Sequence, residues 1–216
     1  MKLNNRFLDW LIQSKKVYYI YMRGSYIYNK QTENSDMDFL VICDKHTTFP
    51  KEFYKMKENT NYGRRFDFHI KVDNYDFIFK TNEEWFQDVL DGSILGWECA
   101  CLNKKFVIKE HVKLLMKTEP LKLRKQILLM DKKIISEDFN IKDAWQVIIY
   151  CKFANQIIEN HKIVNYSVAN DEWKKLSESD DQYNCYQELL QQPLNLLKKY
   201  TDGMLKKEIE QKLSKT

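Results

Sequence analysis

Two aspartates, Asp36 and Asp38, stand on either side of Met37 at the mouth of an apolar run, Phe39-Leu40-Val41-Ile42. Strand side chains alternate between faces, so both carboxylates project from one face while Met37, Phe39 and Val41 project from the other. Carboxylates that close repel each other unless a cation sits between them. An oxygen-only pair suits Mg²⁺, which takes a few carboxylates and completes its octahedron with water and phosphate oxygens. Upstream, separated from Asp36 by ten residues, the chain reads Arg23-Gly24-Ser25. Gly24 permits a turn in which backbone approaches a ligand closely, and Ser25 can offer its hydroxyl and N–H to phosphate oxygens. Each feature alone is commonplace, and an Asp-x-Asp beside a strand is often surface decoration. The order strand, Gly-Ser, spacer, Ser-Asp-x-Asp, apolar strand is far more specific.

The elements that must position these groups are legible from periodicity. Residues 3–14 predict a helix with Phe7, Leu8, Leu11 and Ile12 on one face. Val17 to Met22 predicts a strand ended by Gly24-Ser25, the polar stretch Asn29 to Ser35 a loop, and Met37 to Cys43 a second strand. The segment from Thr47 to Thr60 is ambiguous, with a short helix expected after Pro50. Residues 66–80 predict a β-hairpin turning at Asp73-Asn74. That turn sets Lys71 opposite Asp76, with Asp67, His69, Lys71, Asp76 and Ile78 on one face and Phe66, Phe68, Ile70, Tyr75, Phe77 and Phe79 on the other. His69 on that polar face is a candidate substrate contact, and Lys71 and Lys80 are candidate partners for phosphate. Glu83 to Leu90 predicts a helix capped at Thr81 and stopping near Gly92.

From about residue 110 only helical periodicity is expected, over 121–136, 142–160, 170–178, 183–200 and 203–213. The chain therefore divides into a sheet-bearing part, 1–110, and a helical part, 111–216. In the helix over 142–160, Ala144, Val147, Ile148, Cys151, Ala154 and Ile158 form a core stripe. Trp145, Tyr150 and Phe153 on the same helix are suited to packing, or to stacking a base.

Composition excludes several classes. Of 216 residues 44% are hydrophobic and 31% charged, the balance of a folded chain rather than a disordered one. A net charge of +4, from 35 basic and 31 acidic residues, is too small to argue for a long nucleic-acid partner. Five cysteines without zinc-ligand spacing suggest reduced, structural thiols. With no secretory leader and no apolar run near the ~18 residues of a membrane span, a soluble cytoplasmic protein without a membrane partner is expected.

Gly24-Ser25 followed by Asn34-Ser35-Asp36-Met37-Asp38 resembles the signature of the DNA polymerase β-type nucleotidyltransferase superfamily. More narrowly, Arg23-Gly24-Ser25-x-x-Tyr28 and Thr32-Glu33-Asn34-Ser35-Asp36-x-Asp38 are similar to bacterial and phage nucleotidyltransferases of an RNA-repair-associated group. The resemblance implies an α+β fold, a mixed β-sheet flanked by helices and followed by a helical C-terminal region. It further implies two divalent cations, Mg²⁺ or Mn²⁺, held by three carboxylates, and a turn at Gly24 and Ser25 that binds a nucleoside triphosphate such as ATP.

The third carboxylate would come from a later strand, where Asp76 and Asp67 are the candidates. The family order of apolar strand, helix and Gly turn fits Tyr75 to Phe79, Trp85-Phe86 and Gly92, and favours Asp76. Lys142 resembles a basic position of the family's helical region. The implied reaction transfers a nucleoside monophosphate to a hydroxyl on an RNA end, a protein or a small molecule, releasing pyrophosphate. The rival is a catalytically inactive nucleotide-binding or protein-interaction module on the same fold. Retention of Asp36, Asp38 and Gly24-Ser25 together weighs against it.

Overall fold

A computed structural model describes residues 6–50, 57–58, 68–136 and 139–213. Two compact units are present, one made of residues 1–89 and 102–115, the other of residues 90–101 and 116–216.

The first unit is built on a six-stranded mixed sheet. Its elements are α1 (Arg6–Gln13), β1 (Val17–Arg23), β2 (Met37–Cys43), β3 (Lys57–Glu58), β4 (Phe68–Val72), β5 (Tyr75–Thr81), α2 (Asn82–Leu90) and β6 (Val107–Glu110). The strand order is β3-β4-β5-β2-β1-β6. β2 lies inside the sheet, antiparallel to β1 and parallel to β5. A strand flanked on both sides and covered on both faces must be apolar nearly throughout, and Phe39, Leu40, Val41 and Ile42 are all fully buried.

Registry assigns the two faces. Met22 pairs with Phe39 and Phe39 with Phe77, so these share a face. Phe7 of α1 packs there, edge-on to Phe77 at 5.1 Å and against Phe79 at 6.3 Å. Tyr21 pairs with Leu40 on the opposite face, where its ring lies 6.0 Å from Trp85 of α2. The α+β class and the sheet flanked by helices are as expected from the sequence.

The hairpin forms as its alternation predicts. Val72 pairs with Tyr75 and Lys71 with Asp76, and Asp73 takes the left-handed φ of 56° that the turn requires. At the foot of β5 Thr81 caps α2. Its hydroxyl accepts from Glu84 N at 3.2 Å while Glu84 Oε2 accepts from Thr81 N at 3.2 Å, a reciprocal capping box. Thr81→Ala is expected to cost about 1 kcal/mol, lowering the melting temperature by about 2–4 °C. A calorimetric scan checks this, and an unchanged midpoint would mean the cap contributes nothing.

Several expectations need correction. The short helix expected after Pro50 falls outside the described residues, apart from Lys57–Glu58, which is strand. β6 was not anticipated, because it is a four-residue strand at the sheet edge with little alternation. α3 (Ile94–Ala100) was also missed; it is too short to show a period and carries Gly96.

The second unit contains α3, α4 (Pro120–Ser136), α5 (Ile141–Asn160), α6 (Asn170–Glu178) and α7 (Gln182–Leu213). α7 is one helix of 32 residues where two were expected. Gly203 lowers helix propensity by about 1 kcal/mol, too little to break a helix that packs against α4, α5 and α6. α5 is the central helix, packed by α3, α4, α6 and α7. Burial therefore runs almost all round it rather than along one stripe: Ile149, Phe153 and Ile157 are fully buried, whereas Ile158 is only partly so. Trp145 is engaged edge-on with Trp173 at 5.2 Å and donates from Nε1 to Ala169 O. Phe153 packs on Tyr166 at 5.4 Å, so this aromatic strip serves packing. Among the described residues no helix is long and apolar enough to cross a membrane.

Candidate active site

The acidic face is created by strand register. β2 and β5 run parallel, so their starts lie at the same end of the sheet, and Asp38 pairs directly with Asp76. Neighbouring strands lie about 4.8 Å apart, and paired residues point to the same face. Asp36, two positions before Asp38, shares that face. Across the other edge of β2, Arg23 pairs with Asp38. Across the hairpin, Lys71 pairs with Asp76. One sheet end thus gathers Asp36, Asp38 and Asp76 with Arg23 and Lys71. Asp67, the other candidate for third carboxylate, lies outside the described residues.

Local bonds fix the approach to this cluster. Ser35 Oγ accepts from Thr32 N at 2.8 Å and Ser35 N donates to Thr32 O at 3.1 Å, closing the turn that delivers Asp36. Met37 N donates to Asn74 O at 2.7 Å, tying the start of β2 to the hairpin turn. On the far side of β2 the chain leaves β1 through a 3₁₀ turn, Gly24–Tyr26.

Gly24 has φ +67° and faces Asp38 so closely that a Cβ there would lie 1.9 Å from Asp38 Oδ2. A side chain there would have to displace the Asp38 carboxylate. The positive φ also favours glycine, and Ser25 follows directly in the same turn. Ser25 O in turn accepts from Lys30 N at 2.8 Å.

Electrostatics mark Asp38 as the strained member. Burial above all, then the charge of Asp76, pushes its carboxyl from the ordinary 3.8 up to about 6; Arg23 and Lys71 oppose that, and Asp36 adds to it. Lys71 Nζ donates to Asp36 Oδ2 at 2.6 Å. That bond and the charge of Asp36 push the Lys71 ammonium up, and Asp76 and Asp38 contribute in the same sense. His69 Nδ1 lies 3.7 Å from Asp76 Oδ1. Lys80 is committed elsewhere, to Asp88 at 2.7 Å. Lys142, in the other unit, is exposed in the first turn of α5 beside the Asn140 cap.

The donor set fits a hard divalent cation. All three carboxylates offer oxygen, Gly24 sets no side chain against Asp38, and an ammonium already stands as a cation on Asp36. Among the described residues no three His, Cys, Asp or Glu side chains stand close enough together to hold a metal ion as they are. A dication would have to gather the carboxylates and release Lys71 from Asp36. Arg23 and the Lys71–Asp36 bond were not assigned from sequence. Arg23 was legible as the residue before the Gly-Ser turn, but its pairing with Asp38 depends on the β1–β2 register.

A model of the nucleotidyltransferase domain matches residues 5–141 of the chain. No curated protein matches it. Among solved structures, spectinomycin adenyltransferase AAD(9) from Enterococcus faecialis, crystallised with ATP and spectinomycin, is 14% identical, covering 89% of this chain and 96% of its own with a TM-score of 0.45. A nucleotidyltransferase-like protein from Exiguobacterium sibiricum is 9% identical, covering 94% of this chain and 78% of its own with a TM-score of 0.32.

Proposed function

The chain belongs to the nucleotidyltransferase domain family, and from that premise we propose that it transfers a nucleoside monophosphate from a nucleoside triphosphate to a hydroxyl acceptor, releasing pyrophosphate. The observation that carries this reading is the parallel register of Asp38 with Asp76 beside the glycine cradle. Asp36, Asp38 and Asp76 would hold Mg²⁺ or Mn²⁺. When bound, such a cation supplies Lewis-acid polarisation of phosphoryl oxygens and lowers the pKa of a coordinated hydroxyl.

The protein's own groups do the rest. The Gly24-Ser25 turn binds the triphosphate through backbone N–H and hydroxyl donors. Asp76, on β5 beside the hairpin, orients the acceptor hydroxyl and takes its proton. The acceptor oxygen then bonds to the α-phosphorus as the bond to the β-phosphate bridge breaks, and pyrophosphate carries off the electron pair. Arg23, beside Asp38, offsets part of the negative charge at the sheet end.

The test is incubation of α-labelled nucleoside triphosphates and Mg²⁺ with total cellular RNA and protein. The label is expected in one class of acceptor, with γ-labelled triphosphate giving none. Asp36→Ala and Asp76→Ala are each expected to reduce labelling about a thousandfold, the several kcal/mol a bound cation contributes. Transfer of the γ-label, or labelling that survives both substitutions, would sink the reading.

A further inference from the structure

Resting on the cation-binding reading above, we propose that Lys71 is the resident counter-ion of the acidic cluster, holding Asp36 until a divalent cation enters together with a triphosphate that takes over the ammonium. Lys71 is placed for this by the hairpin. Its register partner is Asp76, its Nζ bonds Asp36 Oδ2 at 2.6 Å, and the charges of Asp36, Asp76 and Asp38 all act on it. The side chain is 51% exposed, so it can swing away without opening the core.

A bare dication that takes Asp36 must break a charge-assisted bond and leave an ammonium beside a second positive centre. Both effects weaken its binding. A cation arriving with a triphosphate brings the anionic oxygens that the displaced ammonium needs. Lysine suits such a handover, being a point charge on a flexible stem rather than a planar fork committed to one carboxylate. Cation and nucleotide therefore reinforce each other's binding, and by linkage the reinforcement is reciprocal.

Mn²⁺ titration followed by electron paramagnetic resonance tests this on the full chain, with and without a non-hydrolysable ATP analogue. Lys71→Met keeps the stem and removes the charge; thermal melting verifies that it folds. Without nucleotide, Lys71→Met is expected to bind Mn²⁺ about tenfold tighter than wild type. With the analogue present, that advantage should disappear or reverse. Without nucleotide, Lys71→Arg, which keeps the charge, should stay near wild type. Nucleotide-free affinity of Lys71→Met equal to or weaker than wild type overturns the proposal and leaves the cation-binding reading intact. Absence of Mn²⁺ binding by every chain, with and without the analogue, overturns both.

Discussion

Asp38→Asn is expected to raise the melting temperature of the protein held in chelator while abolishing transfer. Burial, followed by the charge of Asp76, lifts the Asp38 carboxyl from 3.8 to about 6. Between those values the folded protein keeps a proton that the unfolded chain has lost. Stability therefore falls as pH rises from about 4 to about 6 and stays lowered above that. At about 1.4 kcal/mol per pH unit, keeping Asp38 ionised costs about 3 kcal/mol at neutral pH.

Asparagine fills the same space without the charge, so about 1–3 kcal/mol should be recovered, or about 2–10 °C in melting temperature. Scans at pH 7.5 and pH 4 check the sign: the gain belongs at the higher pH and should nearly vanish at the lower, where Asp38 is protonated. An equal gain at both would show that charge is not its source. On the proposed mechanism the same substitution also removes a cation-binding oxygen, and transfer should fall about a thousandfold. A residue that destabilises the fold it sits in, yet is needed for transfer, is the expected behaviour of an active-site acid.

Gly24→Ala is expected to damage both the fold and the site. At φ +67° an alanine carries a backbone cost of about 1 kcal/mol. The added methyl would meet Asp38 Oδ2 at 1.9 Å and Cγ at 3.0 Å. β2 is buried between β1 and β5 and cannot retreat, so the carboxylate must turn away. A stability loss of about 1–3 kcal/mol and a loss of about a hundredfold in cation-dependent nucleotide affinity are expected. A double-mutant cycle separates the two causes. In an Asp38→Ala background the methyl has no carboxylate to displace, and Gly24→Ala should then cost only the backbone term. Equal costs in both backgrounds would rule out the steric account.

Much of this arrangement was legible in the sequence because the informative signals are local. β2 was read with its true bounds, since a short apolar run rich in β-branched and aromatic residues after a polar loop suits a buried strand. The Asp73-Asn74 turn fixed the hairpin register, and with it Lys71 opposite Asp76. The parallel pairing of β5 with β2 was different. It joins segments far apart in sequence, and periodicity alone says nothing of it; the preference for Asp76 came from resemblance, and the register now places Asp76 beside Asp38.

The ion pair on Asp36 and the neighbouring Arg23 depend on side-chain reach, which strand patterns do not encode. In the helical half, two helices were read over 183–200 and 203–213 because local periodicity was weighed without the tertiary packing that carries α7 through as one. The central position of α5 likewise blurs the one-sided stripe that a surface helix would show.

Isothermal titration of ATP into wild type, Asp36→Ala and Asp38→Ala, with Mg²⁺ and with chelator, bears most directly on the role of the three carboxylates. Tight binding should need both Mg²⁺ and the intact pair, and pyrophosphate release measured alongside should disappear in both variants. ATP binding that ignores Mg²⁺, or pyrophosphate release that persists in both variants, would contradict it.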